Sequence, residues 1–320
     1  MKNKINLSWL LLLFLFLTSC DDIFEEDISG ESIIIVNPQN GDLIEGNSVQ
    51  FLWNSLKGAT EYNIQVYGDN QLAVDTSITA PPFIMVLNEG TYQWRVKGEN
   101  FAYQTDYTFP VQFEVIQTED LSNQTLILSS PSDNLYTNNT LITFTWETLP
   151  NATSYSFEVQ KVTQSGNITI LLEEEVNTNS ITIDSTILDE DAHYIWKAKA
   201  VNETSATAFS SRNLFIDTVD PVTPTLLTPE FEEEFELNEQ VNFSWIFGAD
   251  PGNFPSPVTS YFELATDVNF NTTIENVFIE STNVSLEFET PGIYYWRVRG
   301  EDFAGNIGPF NQNGQFIVNE

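Results

Sequence analysis

The sequence has 320 residues, 41% of them hydrophobic and 13% aromatic, which is too rich in rings for a disordered chain and long enough for two or three domains. It holds 46 acidic and 11 basic residues. Without the first 19 residues, which contain Lys2 and Lys4, the balance is 9 − 46 = −37, and such a polyanion is repelled by nucleic-acid backbones and anionic headgroups. Its one cysteine, Cys20, excludes an internal disulfide framework and thiolate metal clusters.

The chain begins as an address. Lys2 and Lys4 form a basic start, and Ile5 to Leu17 is an apolar run of about 13 residues, short of the roughly 20 that a bilayer-spanning helix needs. It reads as the core of a signal peptide over 1–19. Cys20 follows at once, and Asp21-Asp22-Ile23-Phe24-Glu25-Glu26-Asp27 opens an acidic tether expected over 20–31.

Beyond the tether one pattern occurs three times. The first copy runs Pro38, Val49-Gln50-Phe51-Leu52-Trp53, Tyr62-Asn63-Ile64-Gln65-Val66, Tyr92-Gln93-Trp94-Arg95-Val96-Lys97 and Phe113-Glu114-Val115. The second runs Pro131, Ile142-Thr143-Phe144-Thr145-Trp146, Tyr155-Ser156-Phe157-Glu158-Val159, Tyr194-Ile195-Trp196-Lys197-Ala198-Lys199 and Leu214-Phe215-Ile216. The third runs Pro229, Val241-Asn242-Phe243-Ser244-Trp245, Phe262-Glu263-Leu264, Tyr294-Tyr295-Trp296-Arg297-Val298-Arg299 and Phe316-Ile317-Val318. Apolar and polar residues alternate within these segments, as in half-buried strands. Turn residues such as Asn40-Gly41 and Glu89-Gly90 separate them. About seven short strands per ~95 residues predict an all-β chain of three sandwiches, at 32–117, 125–217 and 222–320. Trp53, Trp94, Trp146, Trp196, Trp245 and Trp296 fill two slots per repeat and are the expected core. Tyr261 stands one residue before Phe262, whereas Tyr62 and Tyr155 stand two before their counterparts, so the third copy is out of step there. The prolines of Asp220-Pro221 and Pro224 limit bending of the second junction, while the polar junction 117–124 is expected to be more flexible.

Two resemblances follow. The repeats resemble fibronectin type III and related bacterial immunoglobulin-like modules. That likeness implies tandem β-sandwiches, a tyrosine corner at Tyr92, Tyr194 and Tyr294, and Trp in place of the antibody disulfide. Leu17-Thr18-Ser19-Cys20 resembles the lipobox of bacterial lipoproteins, which implies cleavage before Cys20 and acyl chains on it. The acidic cluster that follows is similar to the surface-export signal of Bacteroidota lipoproteins, which implies an outer-membrane anchor with the chain facing the exterior.

No group of residues points to catalysis, and no cofactor is expected. His193, the only histidine, has no nucleophile or carboxylate in a recognisable pattern with it and reads as a strand residue. The runs Glu173-Glu174-Glu175, Asp189-Glu190-Asp191 and Glu232-Glu233-Glu234 match no calcium loop. Arg95/Lys97, Lys197/Lys199 and Arg297/Arg299 lie on the strand face opposite Trp, ready either for cross-strand partners such as Glu61, Gln65 or Glu114 or for an anionic glycan. Phe101, Tyr103, Phe303 and Phe310 are candidate ligand-binding aromatics, of the kind that stack on sugars. Asp184-Ser185-Thr186 and Asp217-Thr218-Val219 resemble the short O-glycosylation motif of Bacteroidota. The reading is a non-catalytic, membrane-anchored binding or spacer arm with a polysaccharide or protein ligand and no nucleic acid. Two alternatives are a glycan-binding accessory of polysaccharide uptake and a periplasmic assembly scaffold.

Overall fold

The computed structural model describes residues 25–249 and 251–320. The signal peptide, Cys20 and the acidic residues as far as Phe24 lie outside them. All regular elements among the described residues are β-strands, in three groups of eight. The first module holds β1 (Ile35–Asn37), β2 (Asp42–Glu45), β3 (Ser48–Trp53), β4 (Glu61–Gly68), β5 (Gln71–Ile78), β6 (Phe83–Val86), β7 (Gly90–Glu99) and β8 (Val111–Ile116). The second holds β9 (Leu128–Ser130), β10 (Leu135–Thr137), β11 (Ile142–Trp146), β12 (Ser154–Thr163), β13 (Gly166–Val176), β14 (Ser180–Ile183), β15 (Ala192–Val201) and β16 (Ser210–Ile216). The third holds β17 (Thr225–Thr228), β18 (Glu233–Phe235), β19 (Gln240–Ile246), β20 (Val258–Ala265), β21 (Thr273–Ile279), β22 (Asn283–Glu287), β23 (Gly292–Asp302) and β24 (Gly314–Val318).

In each module a three-stranded sheet faces a five-stranded one. The orders are β1-β3-β6 and β2-β8-β7-β4-β5, then β14-β11-β9 and β10-β16-β15-β12-β13, then β17-β19-β22 and β18-β24-β23-β20-β21. This is a fibronectin type III-like arrangement, repeated three times. There are eight strands per module rather than seven because the first strand is broken at Pro38, Pro131 and Pro229. Proline has no N–H for the ladder, so pairing stops there and the chain crosses to the other sheet. In the second and third modules it pairs parallel with the last strand, β10 with β16 and β18 with β24. The first module forms one compact unit, and the second and third together form another.

The period-two pattern places alternate residues inside. Trp53, Trp94, Trp146, Trp196, Trp245 and Trp296 are at most 2% exposed. One contact recurs in all three cores: Phe51 meets Trp94, Phe144 meets Trp196 and Phe243 meets Trp296, each edge-on at 5.1 Å, a favoured aromatic geometry. Gly314 lies opposite Trp296 in the β23–β24 ladder, and a Cβ there would overlap the indole nitrogen. Gly314→Ala is therefore expected to cost the third module about 2 kcal/mol by overpacking, read as a lower urea midpoint for that module alone.

The out-of-step Tyr261 has a simple cause. Ser260, not Tyr261, occupies the slot of Tyr62 and Tyr155: it pairs with Gly300 as Tyr62 pairs with Gly98 and Tyr155 with Ala200. Tyr62 and Tyr155 lie against Trp53 and Trp146 at 5.5 and 5.4 Å. The smaller Ser260 instead accepts a 2.8 Å hydrogen bond from the Trp245 indole N–H. Tyr261 consequently faces outward, where Arg299 covers it at 4.7 Å.

The tyrosine corner forms in every module. The hydroxyls of Tyr92, Tyr194 and Tyr294 donate to the carbonyls of Asn88, Glu190 and Thr290, four residues upstream, at 3.0, 2.9 and 2.7 Å. Burial raises all three phenols, and for Tyr194 burial together with the charges of Asp189 and Asp191 pushes the pKa up to about 12. Below an unfolded phenol's pKa near 10 both states hold the proton and nothing is lost. Between about 10 and 12 the unfolded chain ionises first, so stability falls as pH rises. Tyr194→Phe is expected to flatten that alkaline loss in pH-jump unfolding, at about 1 kcal/mol lower stability at neutral pH from the missing hydrogen bond.

Candidate functional site

Three surface assemblies carry polar chemistry. The first lies on the outer face of the five-stranded sheets. Register places Gln65 opposite Arg95, Glu158 opposite Lys197 and Glu263 opposite Arg297. Arg95 donates to Gln65 Oε1 at 2.9 and 2.6 Å, Lys197 pairs with Glu158 at 3.2 Å and Arg297 with Glu263 at 2.6 Å. Lys97 and Arg299 pair with Glu99 and Glu301 in their own strands. Glu61 and Glu114 take no part in these pairs.

Each cation pair also lies against a ring from the segment after it. Tyr107 sits beside Arg95 and Lys97 at 4.3 and 5.1 Å, Phe209 beside Lys197 and Lys199 at 5.3 and 4.9 Å, and Phe310 beside Arg297 and Arg299 at 4.0 and 5.0 Å. This cation–aromatic clasp is absent from the sequence reading. Its signal was an aromatic 12, 12 and 13 residues after the first cation, with the extra residue in the Gly305 turn. The clasp spends charge on rings and carboxylates within the module. Phe310 is thereby half-buried in it.

The second assembly joins the second and third modules. Asp217 is 0% exposed. Its Oδ2 accepts from Ser256 N–H at 2.7 Å and its Oδ1 from Val219 N–H at 3.2 Å. Its backbone carbonyl accepts from Asn306 Nδ2 at 2.8 Å, and its N–H donates to Thr137. Asp302 holds Asn306 through two 2.8 Å bonds. Asn138 of the second module donates its N–H to Ala304 O at 3.0 Å and its side-chain amide to Asn306 Oδ1 at 3.1 Å. An apolar half completes the joint. Phe254 stacks on Phe215 at 5.5 Å and 6°, and Phe303, 61% exposed, meets Tyr136 edge-on at 6.3 Å. His193 packs against Phe215 at 4.5 Å and hydrogen-bonds Asn213 at 2.8 Å. Thr218 donates its hydroxyl to Asp191 at 2.9 Å, while Ser185 is exposed.

The third assembly is the end of the first module where the chain enters. Ile28 is buried, so the later part of the acidic tether packs on the module instead of hanging free. Asn100 donates its amide to Glu26 O and Gly58 O, both at 2.9 Å, and Lys57 pairs with Glu26 at 3.0 Å. Asn202 holds its own incoming segment in the same manner, donating to Glu119 O and Asn151 O. Next to Asn100, Phe101 is 95% exposed and Tyr103 39% exposed. Phe101 and Tyr103 share the turn that Asn100 shapes, while Phe303 belongs to the joint and Phe310 to the clasp.

Of the acidic runs, Glu190 pairs with Lys161 and Asp191 binds Thr218. Among the described residues no three His, Cys, Asp or Glu side chains are grouped to hold a metal ion.

No family model and no curated protein matches the chain. Among solved structures, the chicken CNTN1 FN1-FN3 domains match over 90% of this chain and 98% of theirs, at 14% identity and a TM-score of 0.44. The CbhA fibronectin(III)-like modules of Clostridium thermocellum match over 58% and 94%, at 11% identity and a TM-score of 0.23. Overlap of that size leaves the assignment to the strand order itself: the chain is a tandem of three fibronectin type III-like sandwiches.

Proposed function

We propose that the chain is a non-catalytic outer-membrane lipoprotein of a Bacteroidota bacterium, held by acyl chains on Cys20 and facing the cell exterior, whose modules form a binding and spacer arm. The supporting observation is the joint around Asp217. Independent modules on a flexible string gain nothing from a buried carboxylate that ties the linker to the following module, whereas an arm that holds a surface at a distance requires such a lock. The clasps serve the same end, because they close each outer face with its own rings and carboxylates.

Protease treatment of intact cells, with mass spectrometry of the N-terminal peptide, tests this. Degradation from outside and a diacylglycerol on Cys20 are expected. Full protection in intact cells would instead place the chain in the periplasm.

A further inference from the structure

Phe101 is fixed beside the point where the tether enters the first module. Its neighbour Asn100 binds Glu26 through one amide proton and Gly58 through the other. Its Oδ1 accepts from Ala102 and Tyr103 N–H at 3.1 and 2.8 Å, which shapes the turn. Gly58, at φ +85°, lets Glu26 and Ile28 approach so closely that a Cβ there would meet them at 2.9 and 3.1 Å. The ring that this rigid turn projects is 95% exposed.

The third module shows one use of such a ring, whereas the second has Glu203 at the matching position. In the third module the matching residue is Phe303, and it meets Tyr136 of the module before it. The residues after Phe303 then differ from those after Phe101. Ala304-Gly305-Asn306 takes hydrogen bonds from Asn138, whereas the first module has Ala102-Tyr103. The ring is retained and the polar socket is replaced by an amphipathic tyrosine. A second copy of the chain does not supply the missing module face: by strand register the third module has Glu234 and Glu236 where the second has Tyr136 and Asn138.

What precedes the first module is Cys20, five residues before Glu25, and five residues span at most about 18 Å. We infer that Phe101 and Tyr103 form a lipid-contact wedge, seating the entry end of the first module in the interfacial layer of the membrane that anchors Cys20. Phe brings an apolar ring and Tyr a ring with a wet hydroxyl; aromatic rings of this kind favour that layer. The inference rests on the reading of Cys20 as the anchored residue.

The test uses the chain 20–320, coupled through Cys20 to a maleimide lipid in phosphatidylcholine vesicles that contain brominated acyl chains. Its six tryptophans are buried, so Phe101→Trp adds an exposed reporter, and Phe109→Trp, at another position that is 94% exposed, is the control. Coupling is expected to blue-shift and quench the Phe101→Trp emission and to leave the Phe109→Trp emission unchanged. Unchanged Phe101→Trp emission, or equal quenching of both reporters, overturns the wedge. A shift caused by polysaccharide without lipid overturns it in favour of a glycan site. Because the coupling is chemical, these outcomes do not depend on lipidation in cells; an unmodified Cys20 in cell-derived protein would overturn only the reading beneath.

Discussion

Trp94→Ala is expected to destabilise the first module by about 3–5 kcal/mol, a large part of the roughly 5–15 kcal/mol that holds a domain folded. Trp94 is fully buried, with Phe51 edge-on at 5.1 Å and Trp53 at 6.1 Å. Truncation leaves a cavity between two sheets whose other rings are fixed by their strands. Because the first module is a compact unit of its own, calorimetry is expected to show its transition moving down while those of the other two modules stay in place. A concerted shift of all transitions would contradict this. Conservative variants separate packing from hydrogen bonding. Trp94 Nε1 donates to Pro38 O at 3.1 Å, while the indole nitrogens of Trp196 and Trp296 have no partner. Trp94→Phe is therefore expected to cost about 1 kcal/mol more than Trp196→Phe or Trp296→Phe, since it alone strips a buried carbonyl of its donor.

The alternation of Val49, Phe51 and Trp53, or of Tyr92, Trp94 and Val96, made the sandwiches legible, because period two is imposed by the strand itself. Other features were hidden for identifiable reasons. The crossing of the first strand depends on a missing N–H at Pro38, Pro131 and Pro229, and such a proline reads equally well as an ordinary turn. Ser260 was invisible as a core partner because a serine carries no hydrophobic signal; only the neighbouring indole N–H gives it a role. The clasp rings Tyr107, Phe209 and Phe310 come from irregular segments whose length varies by one residue, so they fall outside the repeat pattern. Asp217 stood out only as part of a short motif at the end of the second repeat, since nothing in its sequence neighbourhood tells of Ser256 and Asn306, which lie 39 and 89 residues away.

Asp217→Ala is expected to loosen the joint between the second and third modules by about 3 kcal/mol, because it leaves the N–H groups of Ser256 and Val219 without acceptors in a buried setting. The backbone carbonyl of Asp217 survives the change and still receives Asn306, so the third module itself is expected to keep its fold and its melting transition. The effect therefore belongs to the linker. On the full chain, limited proteolysis within 218–224 is expected to accelerate roughly a hundredfold, which is that energy expressed as the population of the open joint. Asp217→Asn sharpens the test. The amide keeps the size of the carboxylate, yet one of its two arms becomes a donor facing Ser256 or Val219 N–H, so the variant is expected to resemble the alanine rather than the parent. Protection of the linker by Asn would show that filling the space is what locks the joint. Cleavage at the rate of Ala would show that two acceptors are required, and the same requirement explains why an acidic residue occupies this fully buried position.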